Sequence, residues 1–137
     1  MNYWLFKTEP DTWGWDAQVK RGDKGEKWNG VRNFQANANM KAMKKGDLGF
    51  FYHTGEEKQI VGIVEVIKEA EKDATDETGR FSLVTVKAVE PMPKPVTLAA
   101  VKADPRFKDM ILVKYSRLSV QPVTPDEWKA IRKMGGL

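Results

Sequence analysis

The run Ile60-Val61-Gly62-Ile63-Val64-Glu65-Val66-Ile67 constrains the fold more than any other stretch of the chain. β-branched side chains lose χ1 freedom in a helix and pack well on a pleated surface. A nearly continuous row of them predicts a central strand buried on both sides over much of its length. Such a strand needs a neighbour on each edge and a packed layer on each face. Gly62 inside the run predicts a bend, or a close approach by another backbone or a ligand.

The other elements are read against this strand. Tyr3-Trp4-Leu5-Phe6-Lys7 predicts an aromatic first strand, ended by Thr8-Glu9-Pro10-Asp11. Asp11 or Thr12 can cap a short helix to about Val19, and the charged, Gly-containing stretch from Arg21 to Lys27 reads as an exposed loop. Trp28-Asn29-Gly30 reads as a turn. Apolar residues at three- and four-residue steps predict a helix from Val31 to Lys45, stopped by Gly46. Leu48 to His53 predicts a strand, Thr54 to Lys58 a turn, Lys68 to Gly79 an acidic loop, and Phe81 to Val89 another strand. Pro91, Pro93 and Pro95 predict a stiff extended connector. Thr97 can cap a helix to Ala103, which Asp104-Pro105 breaks. Ile111 to Val113 and Leu118 to Val120 predict one or two last strands, and Thr124-Pro125 opens a closing helix to Met134. Five or six short strands without regular βαβ alternation predict one α+β domain over residues 1–137, built on a small, partly closed barrel.

Composition narrows the chemistry. With 41% hydrophobic and 31% charged residues in 137, the chain is globular and long enough for a core without staples. It has no cysteine, which excludes disulfides, thiolate metal sites and a cysteine nucleophile. His53 is the sole histidine, so a His-rich metal site is excluded too, and no metal or cofactor is expected. No window approaches a membrane span, and the N-terminus lacks a signal-peptide pattern, so a cytoplasmic location is expected. The net charge is +4, and residues 105–137 carry seven Lys and Arg against three acids. That balance permits a polyanionic partner and equally describes solvated surface lysines.

Enzymatic signatures are lacking. There is no phosphate loop, no dinucleotide fingerprint and no nucleophile elbow, and only three serines, Ser82, Ser116 and Ser119. His53 at a strand end reads more readily as a structural hydrogen-bonding residue than as a general base, and the carboxylates of Glu56-Glu57 and Glu69/Glu71 read as solvated surface. Polar residues in aromatic context stand out instead: Lys7-Thr8 after the first strand, Trp28 through Gln35 at a helix start, His53-Thr54, and Arg117-Leu118-Ser119. Trp28 offers a flat face, while Asn29, Asn33 and Gln35 carry paired donors and acceptors and Arg32 a charge. These are the parts of a base-reading pocket. The same residues also read structurally, with Trp28 in the core, Asn33 tying a loop and Arg32 paired with a carboxylate.

At these segments the sequence resembles the EVE domain family of the PUA-like superfamily, in its stand-alone bacterial-type form. The resemblance rests on Tyr3-Trp4-Leu5-Phe6-Lys7-Thr8-Glu9-Pro10, Trp28-x-Gly30-Val31-Arg32-Asn33-x-Gln35-Ala36, Gly46-Asp47 leading to Phe50-Phe51-Tyr52-His53, Val61 to Val66, and Arg117 to Val123 followed by Glu127-Trp128. It implies a strongly curved small β-barrel with surrounding helices, and non-catalytic binding of DNA or RNA through a pocket for a modified base. Lys7, Thr8, Trp28, Asn29, Arg32, Asn33, Gln35, His53, Thr54, Arg117, Leu118 and Ser119 are the candidate ligand-binding residues, and Arg106, Lys114 and Arg117 the candidate phosphate contacts. The sequence departs from the family pattern in having Asn29 for an acid, Phe34 for Tyr or His, Asn37-Ala38 for Arg-Asn, Thr54 for Ser and Thr85 for Asp. A small-molecule binder or enzyme using a nucleotide-like ligand, and a protein-interaction adaptor, are the competing functions; the sequence leaves the oligomeric state open.

Overall fold

A computed structural model describes residues 1–137. Six strands form one sheet: β1 (Tyr3–Thr8), β2 (Glu26–Lys27), β3 (Leu48–His53), β4 (Gln59–Lys72), β5 (Ser82–Thr97) and β6 (Val120–Val123). Their order is β2-β5-β4-β3-β1-β6. The helices are α1 (Trp15–Lys20), α2 (Phe34–Ala42), α3 (Leu98–Ala103), α4 (Ile111–Lys114) and α5 (Pro125–Met134). β1 and β3 are parallel, so the chain crosses over between them through α1, β2 and α2. The remaining pairs are antiparallel.

The expected barrel does not close. The sheet ends on β2 and β6, two and four residues long, and these two edges do not pair. With helices and loops covering both faces, the apolar surface is buried without closure. The predicted central strand is real and longer than the β-branched run, extending to Lys72 into the expected acidic loop. β5 likewise absorbs Pro91, Pro93 and Pro95. β2 pairs with β5 only at Thr85 and Val86, so the prolines lie along an otherwise open edge where a missing N–H costs no ladder bond. Pairing of β4 with β5 slips register four times, which bends this long hairpin.

Alternation along the strands divides the core in two. Leu5, Phe50, Tyr52, Ile60 and Ile63 face α3, α4 and α5 with Val101, Phe107, Leu112, Trp128 and Ile131. Trp4, Phe6, Phe51, Val64 and Val66 face the other way, toward Trp28, Val31 and the Ala36, Met40 and Met43 side of α2. Gly62 owes its identity to this second layer: a Cβ there would come within 2.4 Å of the Trp15 indole.

Several helix boundaries differ from expectation. α1 starts at Trp15, after Gly14, not at Asp11 or Thr12. α2 is shorter at both ends: Asn33 caps it by accepting from Ala36 N, and Met43 already has an extended backbone. Ile111 to Val113 form a helical turn, not a strand, because Met110 and Leu112 both enter the helix-side core; so short an apolar run has no diagnostic period. The closing helix opens on a full capping box between Thr124 and Glu127, with Pro125 in its first turn.

Candidate functional site

Two clefts open at the end of the molecule where β1 finishes and α2 begins. The first, of about 460 Å³, lies between Lys7-Thr8-Glu9, Thr12-Trp13, the stretch Glu26 to Arg32, and Ser119. The second, of about 620 Å³, lies between Asn33, Gln35 and Asn39 of the α2 region, Ile111 and Lys114 of α4, the loop Tyr115 to Leu118, and Pro122. They abut along two seams, since Arg32 and Ser119 line the first while their chain neighbours Asn33 and Leu118 line the second.

Each wall of the first cleft is held from below. Trp28 is 8% exposed, and its ring sits edge-on to Phe6 and Phe51 at 5.3 and 5.7 Å. It is therefore both core and cleft wall. The Trp13 indole N–H donates to Gln18 Oε1 (2.9 Å), and the fully buried Gln18 amide donates to the Val86 carbonyl (3.0 Å). Thr8 Oγ1 donates to the Trp13 carbonyl (2.8 Å). Lys7 Nζ donates to the Ser116 carbonyl (2.7 Å) and lies 5.7 Å from the centre of the Tyr52 ring; no carboxylate pairs with it, and burial lowers its pKa.

Asp73 is the keystone of the opposite wall. It is 2% exposed, and Oδ2 accepts from Gly30 N (2.8 Å) and Arg32 Nη1 (3.1 Å), while Oδ1 accepts from Thr75 N (2.8 Å) and the Thr75 hydroxyl (2.5 Å). Burial opposes its charge, but the hydrogen bonds from Thr75, Gly30 and Arg32 outweigh that and hold its pKa at about 2. The segment Trp28 to Asn33 has no regular secondary structure, so this carboxylate substitutes for a ladder.

Of the twelve candidate ligand residues, Lys7, Thr8, Trp28, Asn29, Arg32 and Ser119 share the first cleft. Asn33, Gln35, Arg117 and Leu118 line the second. His53 and Thr54 line neither. His53 Nε2 accepts from Trp15 N (3.1 Å) at the start of α1, and Nδ1 lies 2.8 Å from Glu57 Oε1, a contact that lowers the Glu57 pKa. Thr54 donates to the Thr8 carbonyl (3.2 Å), behind the cleft wall. Among the phosphate candidates, Lys114 and Arg117 border the second cleft, whereas Arg106 forks onto Asp104 at 2.8–3.1 Å away from both. Sequence reasoning missed Trp13, Asp73, Asn39 and Tyr115. Trp13 was legible, standing between Thr12 and Trp15 beside a strand end. Asp73 carried only a local signal, its Asp-x-Thr turn with Thr75, because Gly30 and Arg32, the cleft partners it holds, lie about forty residues upstream.

The open sheet, its two helical layers and the clefts beside β1 define an α+β domain of PUA-like fold. The chain belongs to the EVE domain family, whose model matches residues 2–134. Rpa0253 from Rhodopseudomonas palustris is 58% identical with a TM-score of 0.94, the match covering 99% of this chain and 94% of that one. Human thymocyte nuclear protein 1 is 31% identical over 93% of this chain and 71% of its own length. Human THYN1 in complex with 5-methylcytosine-containing DNA superposes with a TM-score of 0.91 at 28% identity, covering 100% of this chain and 99% of that one. A YTH domain from Zygosaccharomyces rouxii MRB1, 18% identical with a TM-score of 0.60 over 99% of this chain and 85% of that one, shares the fold. No helix is long and apolar enough to cross a membrane.

Proposed function

We propose that this chain is a non-catalytic nucleic-acid-binding module that holds a modified base in the Trp28 cleft. The observation that carries this reading is the likeness to human THYN1 bound to 5-methylcytosine-containing DNA, together with a cleft of about 460 Å³ at a tryptophan wall. That volume is in the range of small-ligand sites, and a base fits the chemistry of the lining. Trp28 and Trp13 supply apolar surface. Thr8 and the Asn29 amide supply edge donors and acceptors. Lys7 and Arg32 supply positive charge for a phosphate. Asn29, an amide at the position where the family resemblance implies an acid, both donates and accepts, and so sets which base edge is preferred.

Catalysis has little support. His53 is turned into the α1 start, outside both clefts, and the first cleft's Glu26 is engaged by the Arg21 guanidinium at 3.4 Å, which is no general base. A cytoplasmic location, expected from the sequence, forms part of the same proposal.

The test is a panel of short DNA and RNA oligonucleotides, modified and unmodified, read by binding isotherms. Tighter binding of one modified strand than of its unmodified twin, weakened by Asn29→Ala, is the expected result. Equal and salt-independent affinity across the panel would remove modified nucleic acid as the ligand.

A further inference from the structure

The second cleft is the larger, and its lining is unlike that of the first. It holds no carboxylate: its polar groups are Asn33, Gln35, Asn39, Ser116, the Tyr115 hydroxyl, Lys114 and Arg117. Arg117 makes no hydrogen bond or ion pair within the chain, in contrast to Arg32 on Asp73 and Arg106 on Asp104. Lys114 has only an exposed pair with Asp109 at 3.3 Å. Tyr115 is 61% exposed, a large aromatic face turned to solvent at the rim.

The floor is nevertheless built. Asn39 is 8% exposed; its amide donates to the Val120 carbonyl (2.8 Å), and its oxygen accepts from Gln35 Nε2 (3.2 Å). Gln121, fully buried, donates to the Leu118 carbonyl (2.8 Å) and fixes the loop that carries Tyr115 and Arg117. The Gln35 oxygen and the Asn33 amide nitrogen keep free hydrogen-bonding capacity toward the cleft. Lys7, a wall of the first cleft, reaches across to the Ser116 carbonyl of the second. Chain neighbours divide between the clefts, Arg32 and Ser119 lining the first and Asn33 and Leu118 the second, so the two share their walls.

We propose that the second cleft is a subsite for the nucleotide next to the base held by the Trp28 cleft. Its base stacks on Tyr115 and is read at its edge by Asn33 and Gln35, while Arg117 and Lys114 hold the intervening phosphate. A free arginine beside an exposed aromatic ring and a pair of amides supplies charge, a stacking face and edge recognition at once. This inference rests on the base-binding reading of the first cleft, and the experiment separates the two.

The probe is a five-nucleotide single-stranded DNA with a central 5-methylcytosine, compared with versions carrying an abasic residue at the centre or at either neighbouring position. For the wild type, an abasic residue on one side only is expected to weaken binding about tenfold. In Tyr115→Ala that flanking penalty disappears, because the ring that reads the neighbour is gone. Arg117→Gln is expected to lower the salt slope by about 0.7, the value of one single-strand phosphate contact. Both side chains are exposed, and unchanged melting temperatures confirm that the variants are folded. Wild-type insensitivity to both flanking abasic residues, or an equal penalty in Tyr115→Ala, overturns the subsite. A central abasic residue without effect, alongside an intact Tyr115-dependent flank, instead overturns the first cleft's role and leaves the subsite standing.

Discussion

The two faces of the sheet bury comparable amounts of apolar chain but are finished differently. On the face covered by α3, α4 and α5, Trp128 stacks on Phe50 at 4.1 Å and on Tyr3 at 4.5 Å, and aliphatic side chains complete the layer. On the face covered by α1, α2 and the Trp28 segment, the rings of Trp28 and Trp15 meet Phe51 edge-on, and buried Gln18, Asn37, Asn39, Asp47 and Asp73 are threaded among them. Each has a backbone or side-chain partner, for example Trp4 Nε1 donating to Asp47 at 3.0 Å and Ser82 N donating to Asn37 at 2.8 Å. The drier layer, whose one buried amide is Gln121 beside Leu5, is stabilised mainly by area. A layer threaded with satisfied polar groups fixes positions, since a displaced partner leaves an unpaired buried group costing about 1–3 kcal/mol. The first cleft borders the second face at Trp28, and the second cleft lies between α2 of that face and α4 of the other.

Substitutions can break this contrast. Trp128→Ala is expected to have the largest effect, a loss of about 3–5 kcal/mol of stability in chemical denaturation. Affinity for an oligonucleotide, measured per folded molecule, should not change. Trp28→Ala should cost about 3 kcal/mol in the same assay, because the ring is a core residue, and should also weaken oligonucleotide binding about tenfold. If Trp28→Ala melts lower yet binds normally per folded molecule, its ring belongs to the core alone.

Acid titration sharpens the same comparison through Asp73. Its folded pKa, about 2, lies below the ordinary carboxylate value near 4 that it has when unfolded. The carboxylate therefore contributes stability above the unfolded value, and that contribution, roughly 2 kcal/mol, is lost as pH falls from about 4 through about 2. Asp73→Asn should flatten that part of the stability–pH curve. It should not abolish it, because Asp76 is also held at about 2 by Thr78 and backbone N–H groups. An unchanged acid limb in Asp73→Asn would mean that the carboxylate is not the clamp on Gly30 and Arg32.

The smallest effects come from the helix caps. Asn33→Ala and Thr124→Ala each remove a side-chain cap and should each cost about 1 kcal/mol. Thr124 serves the dry face and should leave binding untouched. Asn33 also borders the second cleft, so its variant should lose some discrimination between oligonucleotides as well.

Much of this was legible where the determinants are local. β1, β3 and the core of β4 follow from alternation and β-branching, and the caps at Thr97 and Thr124 follow from their hydroxyls. Gly62 announced a close approach, and only the fold shows that Trp15 makes it. Long-range choices were not legible. Whether a curved sheet closes depends on how its edge strands end, and Pro91 to Pro95 read as a connector until the open edge beside them is known. The candidate residues divided in the same way. Lys7, Thr8, Trp28 and Asn29 converge because β1 and the Trp28 segment flank one cleft. Asn33 turns its oxygen into the helix cap, and His53 turns its ring toward Trp15, because each has a nearer backbone partner than any ligand.

The most direct measurement is a titration of the isotope-labelled protein with a short DNA strand containing 5-methylcytosine, followed by NMR at backbone and indole N–H groups. Shifts should concentrate on Thr8, Asn29, Gly30, Ser119 and the Trp28 and Trp13 indoles, with the Trp128 indole silent, and the unmodified strand should shift the same groups less. Shifts centred on Trp128 and α5, or none at Trp28 and Asn29 at saturation, would contradict a base-binding cleft on the polar face.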